Sequence, residues 1–155
     1  MISEKKQIFL DVLLADDDID DRSFFEKALK EISILTHLVT VNNGEELMNY
    51  LANNLEFLPD VVFLDLSMPR KTGYECLIEI KEDEKLKNIP VVMFSTSFTH
   101  GIDLEQSLMS TLSNIGAQDY IRKPSDFEQL KQVIKQALLK IIEQGELKNK
   151  DKKVD

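Results

Sequence analysis

Three short strand candidates of this chain end in charged residues that together could hold a divalent cation and accept a phosphoryl group. Val61-Val62-Phe63-Leu64 runs into Asp65, Val12-Leu13-Leu14-Ala15 into Asp16-Asp17-Asp18, and Gln118-Asp119-Tyr120-Ile121 into Arg122-Lys123-Pro124. A carboxylate at the C-terminal tip of a buried strand stands where open α/β sheets gather their ligands. An Asp side chain can attack phosphorus to form an aspartyl phosphate, but it must approach a group that is already anionic. A cation bridging carboxylate and phosphoryl oxygens removes that repulsion. Mg²⁺, or Mn²⁺ in its place, takes oxygen ligands and keeps several waters, so one or two carboxylates and a carbonyl suffice. On this reading Asp17 and Asp65 bind directly, Asp16 acts largely through water, and the Ser67 backbone carbonyl supplies another oxygen. Lys123 offers a point charge to a phosphoryl oxygen, and Ser95, at the tip of Val91–Phe94, a hydroxyl donor.

Such tips need a sheet to bring them together, and the apolar pattern supplies one. Strands are expected over 8–15, 37–41, 61–64, 91–95 and 118–121, and helices over 20–32, 45–55, 74–82, 103–115 and 126–144. Short apolar runs alternating with longer amphipathic ones predict an α/β fold, a parallel sheet with helices on both faces. The unbroken apolar character of 61–64 and 91–94 fits strands covered on both sides. In the last helix Phe127, Leu130, Ile134, Ala137, Leu138 and Ile141 recur at steps of three and four, the helical period. Ser125 with Glu128 reads as its capping box and Gly145 as its stop. Phe25, Ala28, Leu29 and Ile32 mark one face of the first helix.

Composition narrows the function classes. A chain of 155 residues is expected to be one domain,. A net charge of −9 argues against a nucleic-acid backbone as direct partner,. No apolar stretch approaches the length of a membrane span, and residues 1–6 lack the apolar core of a signal peptide. The single cysteine, Cys76, excludes a disulfide framework and reads as a small buried hydrophobe,. These features favour the cytoplasm and no membrane partner.

Taken in order, the segments 12–18, 63–69 with Gly73, 89–95 and 116–124 resemble those of response-regulator receiver domains, the family of the bacterial chemotaxis regulator, over residues 8–143. The resemblance implies a flavodoxin-like, doubly wound five-stranded sheet of order 2-1-3-4-5 with five helices. It implies a receiver domain over 8–144, preceded by an N-terminal extension (1–7) and followed by a charged tail (145–155) read as disordered. It implies Asp65 as phospho-acceptor, Asp16 and Asp17 at the Mg²⁺ site, and Ser95 and Tyr120 as a switch pair. Phosphorylation would then remodel the face made by the fourth helix, fifth strand and fifth helix. Ser67 and Ser97 fall at positions that tune dephosphorylation, and the Lys123–Pro124 bond is cis in typical members. The phosphoryl donor would be a histidine kinase or histidine phosphotransfer protein. With no room seen for an output domain, the output would be a protein contact or onward phosphate transfer. The domain would catalyse only its own phosphoryl transfer and slow dephosphorylation. Ser95 stands where Thr is commoner, and the segment from Ser95 to Lys123 is several residues longer than usual, which makes it the expected place for partner specificity.

Other readings fit less well. A calcium loop starting at Asp16 fails where it needs Gly and a terminal Glu, since Asp21 and Lys27 stand there,. A flavin or nucleotide module needs a neutral or Gly-rich phosphate turn, not three Asp. A haloacid-dehalogenase-type phosphatase needs a second Asp where Ser67 stands. A degenerate receiver that binds partners without phosphorylation is the remaining alternative. Asp18, Asp20 and Asp21 read as solvated helix-start residues.

Overall fold

A computed structural model describes residues 9–96 and 102–152, with side chains over 9–96 and 104–145. The elements alternate without exception: β1 (Phe9–Ala15), α1 (Ile19–Lys30), β2 (Leu35–Val41), α2 (Gly44–Asn53), β3 (Val61–Leu64), α3 (Gly73–Glu82), β4 (Val91–Ser95), α4 (Ile102–Ile115), β5 (Asp119–Arg122) and α5 (Phe127–Lys152). The strands pair in parallel in the order β2-β1-β3-β4-β5. β2 starts two residues earlier than its apolar pattern suggests, because β1 pairs with it from Phe9 opposite Leu35 onward.

Alternate side chains of each strand face opposite sides, and this splits the core in two. Leu13, Ala15, Val62, Leu64, Val91 and Met93 pack under α2, α3 and α4 with Leu47, Leu77 and Leu112. Leu14, Phe63, Val92 and Phe94 pack under α1 and α5 with Phe25, Leu130 and Ile134. There Phe25, Phe63 and Phe94 meet edge to face, with ring centroids 5.0 to 6.0 Å apart. β3 and β4 are buried on both sides, as their continuous apolar runs require. Met68, Met93 and Cys76 are buried packing residues. Burial pushes the Cys76 thiol up to about 12, so it holds no reactive thiolate,.

Two features of α5 differ from the sequence reading. Its first free N–H groups are capped by Asp126 rather than Ser125, with the Gln129 amide donating to the Asp126 carboxylate at 3.0 Å. The carboxylate sits immediately before Phe127, where a cap must sit, and also complements the helix dipole. The helix then passes through Gly145 to Lys152 instead of stopping, so the segment read as a disordered tail is helical through most of its length. A glycine in a helix costs only about 1 kcal/mol relative to alanine, and Glu, Leu and Lys just beyond it are good helix formers.

The register brings the strand tips level. Ala15 lies opposite Leu64, Leu64 opposite Met93, and Ser95 opposite Arg122. The residues that follow each strand therefore emerge side by side at one edge, where β1 and β3 part to opposite crossovers.

Candidate functional site

The first residues beyond the strands are tied down through their backbones. The Asp16 amide donates to Val41 O at 3.1 Å, the Asp65 amide to Ala15 O at 3.0 Å, and the Lys123 amide to Ser95 O at 2.7 Å. The loop after Asp65 is held by two close approaches. A Cβ on Gly73 would lie 2.1 Å from the Asp65 carbonyl oxygen, and one on Gly44 would lie 2.2 Å from Lys71 O. Arg70 adopts φ 69°, the left-handed region, to turn the chain between them,.

On this frame Asp16, Asp17 and Asp65 bring one carboxylate oxygen each to within 4.8 Å of one another. Asp16 and Asp65 are buried and Asp17 is exposed. Lys123, with its side chain 9% exposed, reaches across the sheet edge to all of the buried charge. Its Nζ donates to Asp16 Oδ2 at 2.7 Å and to Asp21 Oδ2 at 3.0 Å, and stands 3.6 Å from Asp65 Oδ2. The Phe94 ring lies under the ammonium, 5.7 Å to its centroid.

Burial is the main cause that pushes the Asp65 carboxyl up, to about 7; Lys123 and the Ser67 amide act against it, while Asp16 and Asp17 add to it. Burial also disfavours the charge of Lys123, but the bond to Asp16 and the charges of Asp65 and Asp16 outweigh it and hold the ammonium above the usual lysine range. Three crowded carboxylates and one ammonium thus leave an excess of negative charge. A hard, oxygen-binding divalent cation fits this donor set.

The remaining expected residues are distributed unevenly. The Ser67 amide donates to Asp65 Oδ1 at 3.3 Å, placing that residue beside the buried carboxylate. Ser95 is buried at the tip of β4, and its hydroxyl donates to Thr96 O at 3.2 Å. Tyr120 is half-buried on β5, its hydroxyl 3.4 Å from Glu105 Oε2 on α4. Ser97 lies outside the described residues. The Lys123–Pro124 bond is trans, not cis, and the described residues contain no cis peptide. A tertiary amide favours trans by about 0.5–1 kcal/mol, and from the trans bond Lys123 already meets its carboxylates.

Two residues take parts that spacing alone does not reveal. Asp18 does cap α1, accepting from the Asp20 and Asp21 amides, but Asp21 turns back from that helix to Lys123. Arg22 donates from Nη1 to Asp16 O at 2.8 Å. The one available signal was position: residues 21 and 22 open the helix that starts beside the Asp16 strand tip. An apolar pocket of about 430 Å³, lined in part by Leu10, Leu58, Ile89, Pro90 and Ile141, opens at the opposite end of the strands and shares no residue with the cluster.

Comparison with known proteins identifies the family. Response regulator Rcp1 of Synechocystis is 36% identical over 90 residues, which cover 56% of this chain and 61% of Rcp1. Sensor histidine kinase CheAY of Helicobacter pylori is 32% identical over 127 residues, 82% of this chain but only 15% of that protein. The chain therefore spans less than two thirds of either curated relative. Among solved structures, the phosphorylated cyanobacterial phytochrome response regulator RcpA superposes with a TM-score of 0.71 at 34% identity, covering 84% of this chain and 91% of its own. The Mn²⁺-bound form of Rcp1 superposes with a TM-score of 0.68 at 28% identity, covering 81% and 89%. The sequence model of the response regulator receiver domain matches residues 12–135, from the strand that carries Asp16 and Asp17 through the Lys123 tip and into the last helix, and the chain belongs to that family.

Proposed function

We propose that this receiver domain accepts a phosphoryl group on Asp65 in a two-component relay, with a divalent cation, Mg²⁺ in the cell, held by Asp16, Asp17, Asp65 and the Ser67 carbonyl. The observation that carries the reading is the Asp65 carboxylate itself, buried between the Asp16–Asp17 pair and the Lys123 ammonium. Receiver domains of two-component systems take phosphate from histidine kinases, and a kinase or a histidine phosphotransfer protein is the donor expected here. An Asp65 oxygen attacks phosphorus in line with the departing imidazole nitrogen. The P–N bond breaks, its electrons stay on the ring, and the ring takes up a proton. A divalent cation held by these oxygens would supply the positive charge that lets a carboxylate approach the anionic phosphoryl group. Lys123 turns from Asp65 and Asp16 to a phosphoryl oxygen, and the Ser95 hydroxyl leaves Thr96 O to donate to another.

The product is a charged, oxygen-rich group at the tip of β3, and its pull on Ser95 and Lys123 shifts the α4–β5–α5 face between two arrangements. The output is a protein contact made or lost on that face. On this reading the domain turns over no separate substrate, reads no nucleic acid and works in the cytoplasm. The test is intact mass after incubation with Mg²⁺ and acetyl phosphate. A single adduct of about 80 Da is expected, dependent on Mg²⁺ and lost in Asp65→Asn. A folded wild-type protein that takes no adduct from acetyl phosphate or from any phosphorylated donor, and binds no beryllofluoride, would be a degenerate receiver instead.

A further inference from the structure

α4 carries no charged residue from Gln106 to Ile115, yet Glu105 in its second turn points at β5 rather than at solvent. Its side chain is only 14% exposed. Both carboxylate oxygens are used. Oε2 accepts from Arg122 Nε at 3.0 Å and lies 3.4 Å from the Tyr120 hydroxyl, and Oε1 accepts from Arg122 Nη2. The Glu105 charge and its bond add to burial in holding the Tyr120 phenol above the usual tyrosine range. Tyr120 and Arg122 are two apart on β5 and so share a face. Arg122 is also the Cα partner of Ser95 across the sheet and the residue immediately before Lys123. One carboxylate on α4 thus grips a strand whose next contacts are the two groups that must move toward a phosphoryl oxygen.

We propose that Glu105 is a positioning residue, a latch that holds Tyr120 and α4 in the resting arrangement and must release the tyrosine when Asp65 carries a phosphoryl group. The inference rests on the receiver reading above. The Tyr120 hydroxyl has one proton to donate. While it is directed at Glu105, and the Ser95 hydroxyl is directed at Thr96 O, neither serves the other. A swing of Tyr120 toward Ser95 breaks the Glu105 contact or drags α4 with it. Either way a nearly buried carboxylate loses a partner, which opposes the move. A bidentate guanidinium–carboxylate pair fixes geometry more tightly than a single bond, so the latch sets where α4 rests as well as where the tyrosine points.

An ion pair with a merely structural role stabilises both arrangements equally, and its loss cannot tighten binding of a phosphoryl mimic. A latch on the resting arrangement can, because a ligand shifts a two-state equilibrium only through differential affinity. The experiment is the affinity of the 155-residue chain for beryllofluoride with Mg²⁺, in wild type, Glu105→Ala, Glu105→Gln, Arg122→Met and Asp65→Asn. Glu105→Ala should bind about fivefold more tightly than wild type, within the usual range of such couplings. Arg122→Met and Glu105→Gln should move the same way by less. Unchanged or weaker binding in Glu105→Gln, whose size preserves the fold, overturns the latch. Wild type that binds no better than Asp65→Asn overturns the receiver reading, and the latch with it. A second measurement separates these failures. In a Tyr50→Phe, Tyr74→Phe background, the ultraviolet titration of Tyr120 without ligand should move to lower pH in Glu105→Gln. An unmoved titration means Glu105 does not hold the tyrosine, which ends the proposal and leaves the receiver reading untouched.

Discussion

At the scale of single residues, the role proposed for Asp65 needs a carboxylate that is ionised enough to attack phosphorus although the fold buries it. Burial pushes its carboxyl up to about 7, with the nearby Asp16 and Asp17 adding to the rise and Lys123 opposing it. In an unfolded chain an Asp titrates near 3.9. The folded pKa is therefore the higher one, so Asp65 contributes stability below about pH 4, and that contribution is lost as pH rises through 7. Without a divalent cation, Asp65→Asn removes this penalty. The variant should be more stable than wild type by about 2 kcal/mol at pH 8, less than the full shift because Lys123 loses a partner, and the gap should close toward pH 5. Urea unfolding in the presence of a chelator measures it; equal stabilities at both pH values would show that Asp65 is not under this strain. Sequence reading singled out Asp65, the Asp16–Asp17 pair and Lys123 because each follows a strand candidate. It took Asp21 for a solvated residue because its role depends on where a side chain 102 positions away ends up, and no local pattern carries that.

At the scale of elements, the loop from Asp65 to Gly73 converts a strand tip into a site. Its geometry depends on glycine more than on any side chain. The Gly73 amide donates to Leu66 O at 3.0 Å while its Cα side faces the Asp65 carbonyl at a distance that admits no methyl group. Gly73→Ala must push α3 away from the loop or twist Asp65 out of line. We expect a loss of about 2–4 kcal/mol in stability and a larger proportional loss in acetyl-phosphate labelling than stability alone explains. Gly145→Ala is the natural control: nothing lies within 4 Å of the Cβ it adds, and in a helix it should stabilise by up to about 1 kcal/mol. Parity between the two variants, by thermal melting and mass-resolved labelling, would refute the account of the loop. The alternation of strands and helices was legible because both are written in hydrophobic period. The true cap of α5 was not, since Ser125 and Asp126 are both good caps and the strand-to-helix geometry decides between them. The helix beyond Gly145 was not either, since a lone glycine signals a stop without enforcing one.

At the scale of the whole molecule, the fold concentrates charge of one sign where the strands end. The chain carries a net charge of −9, and five of the six residues from Asp16 to Asp21 are Asp. Packing cannot relieve that concentration, because the carboxylates are fixed through the backbones of β1 and β3, the same strands that form the centre of both core halves. The sheet therefore holds together a cluster that repels itself, and a divalent cation that binds the folded cluster and not the dispersed chain must stabilise the whole domain. The increment is RT ln(1 + [L]/Kd), about 2.7 kcal/mol when free cation stands 100-fold above its Kd. For a domain of this size that raises the melting temperature by about 5–10 °C. The rise should appear with Mg²⁺ and with Mn²⁺, and fall sharply in Asp17→Asn, whose exposed side chain contributes to the site and little to the core. Sodium at matched ionic strength should do far less, because screening weakens repulsion between exposed charges but cannot bridge two buried carboxylates. If sodium and magnesium raised the melting temperature alike, the acidic edge would be a screened surface rather than a coordinating one, and Asp65 would lack the cation that its proposed chemistry requires.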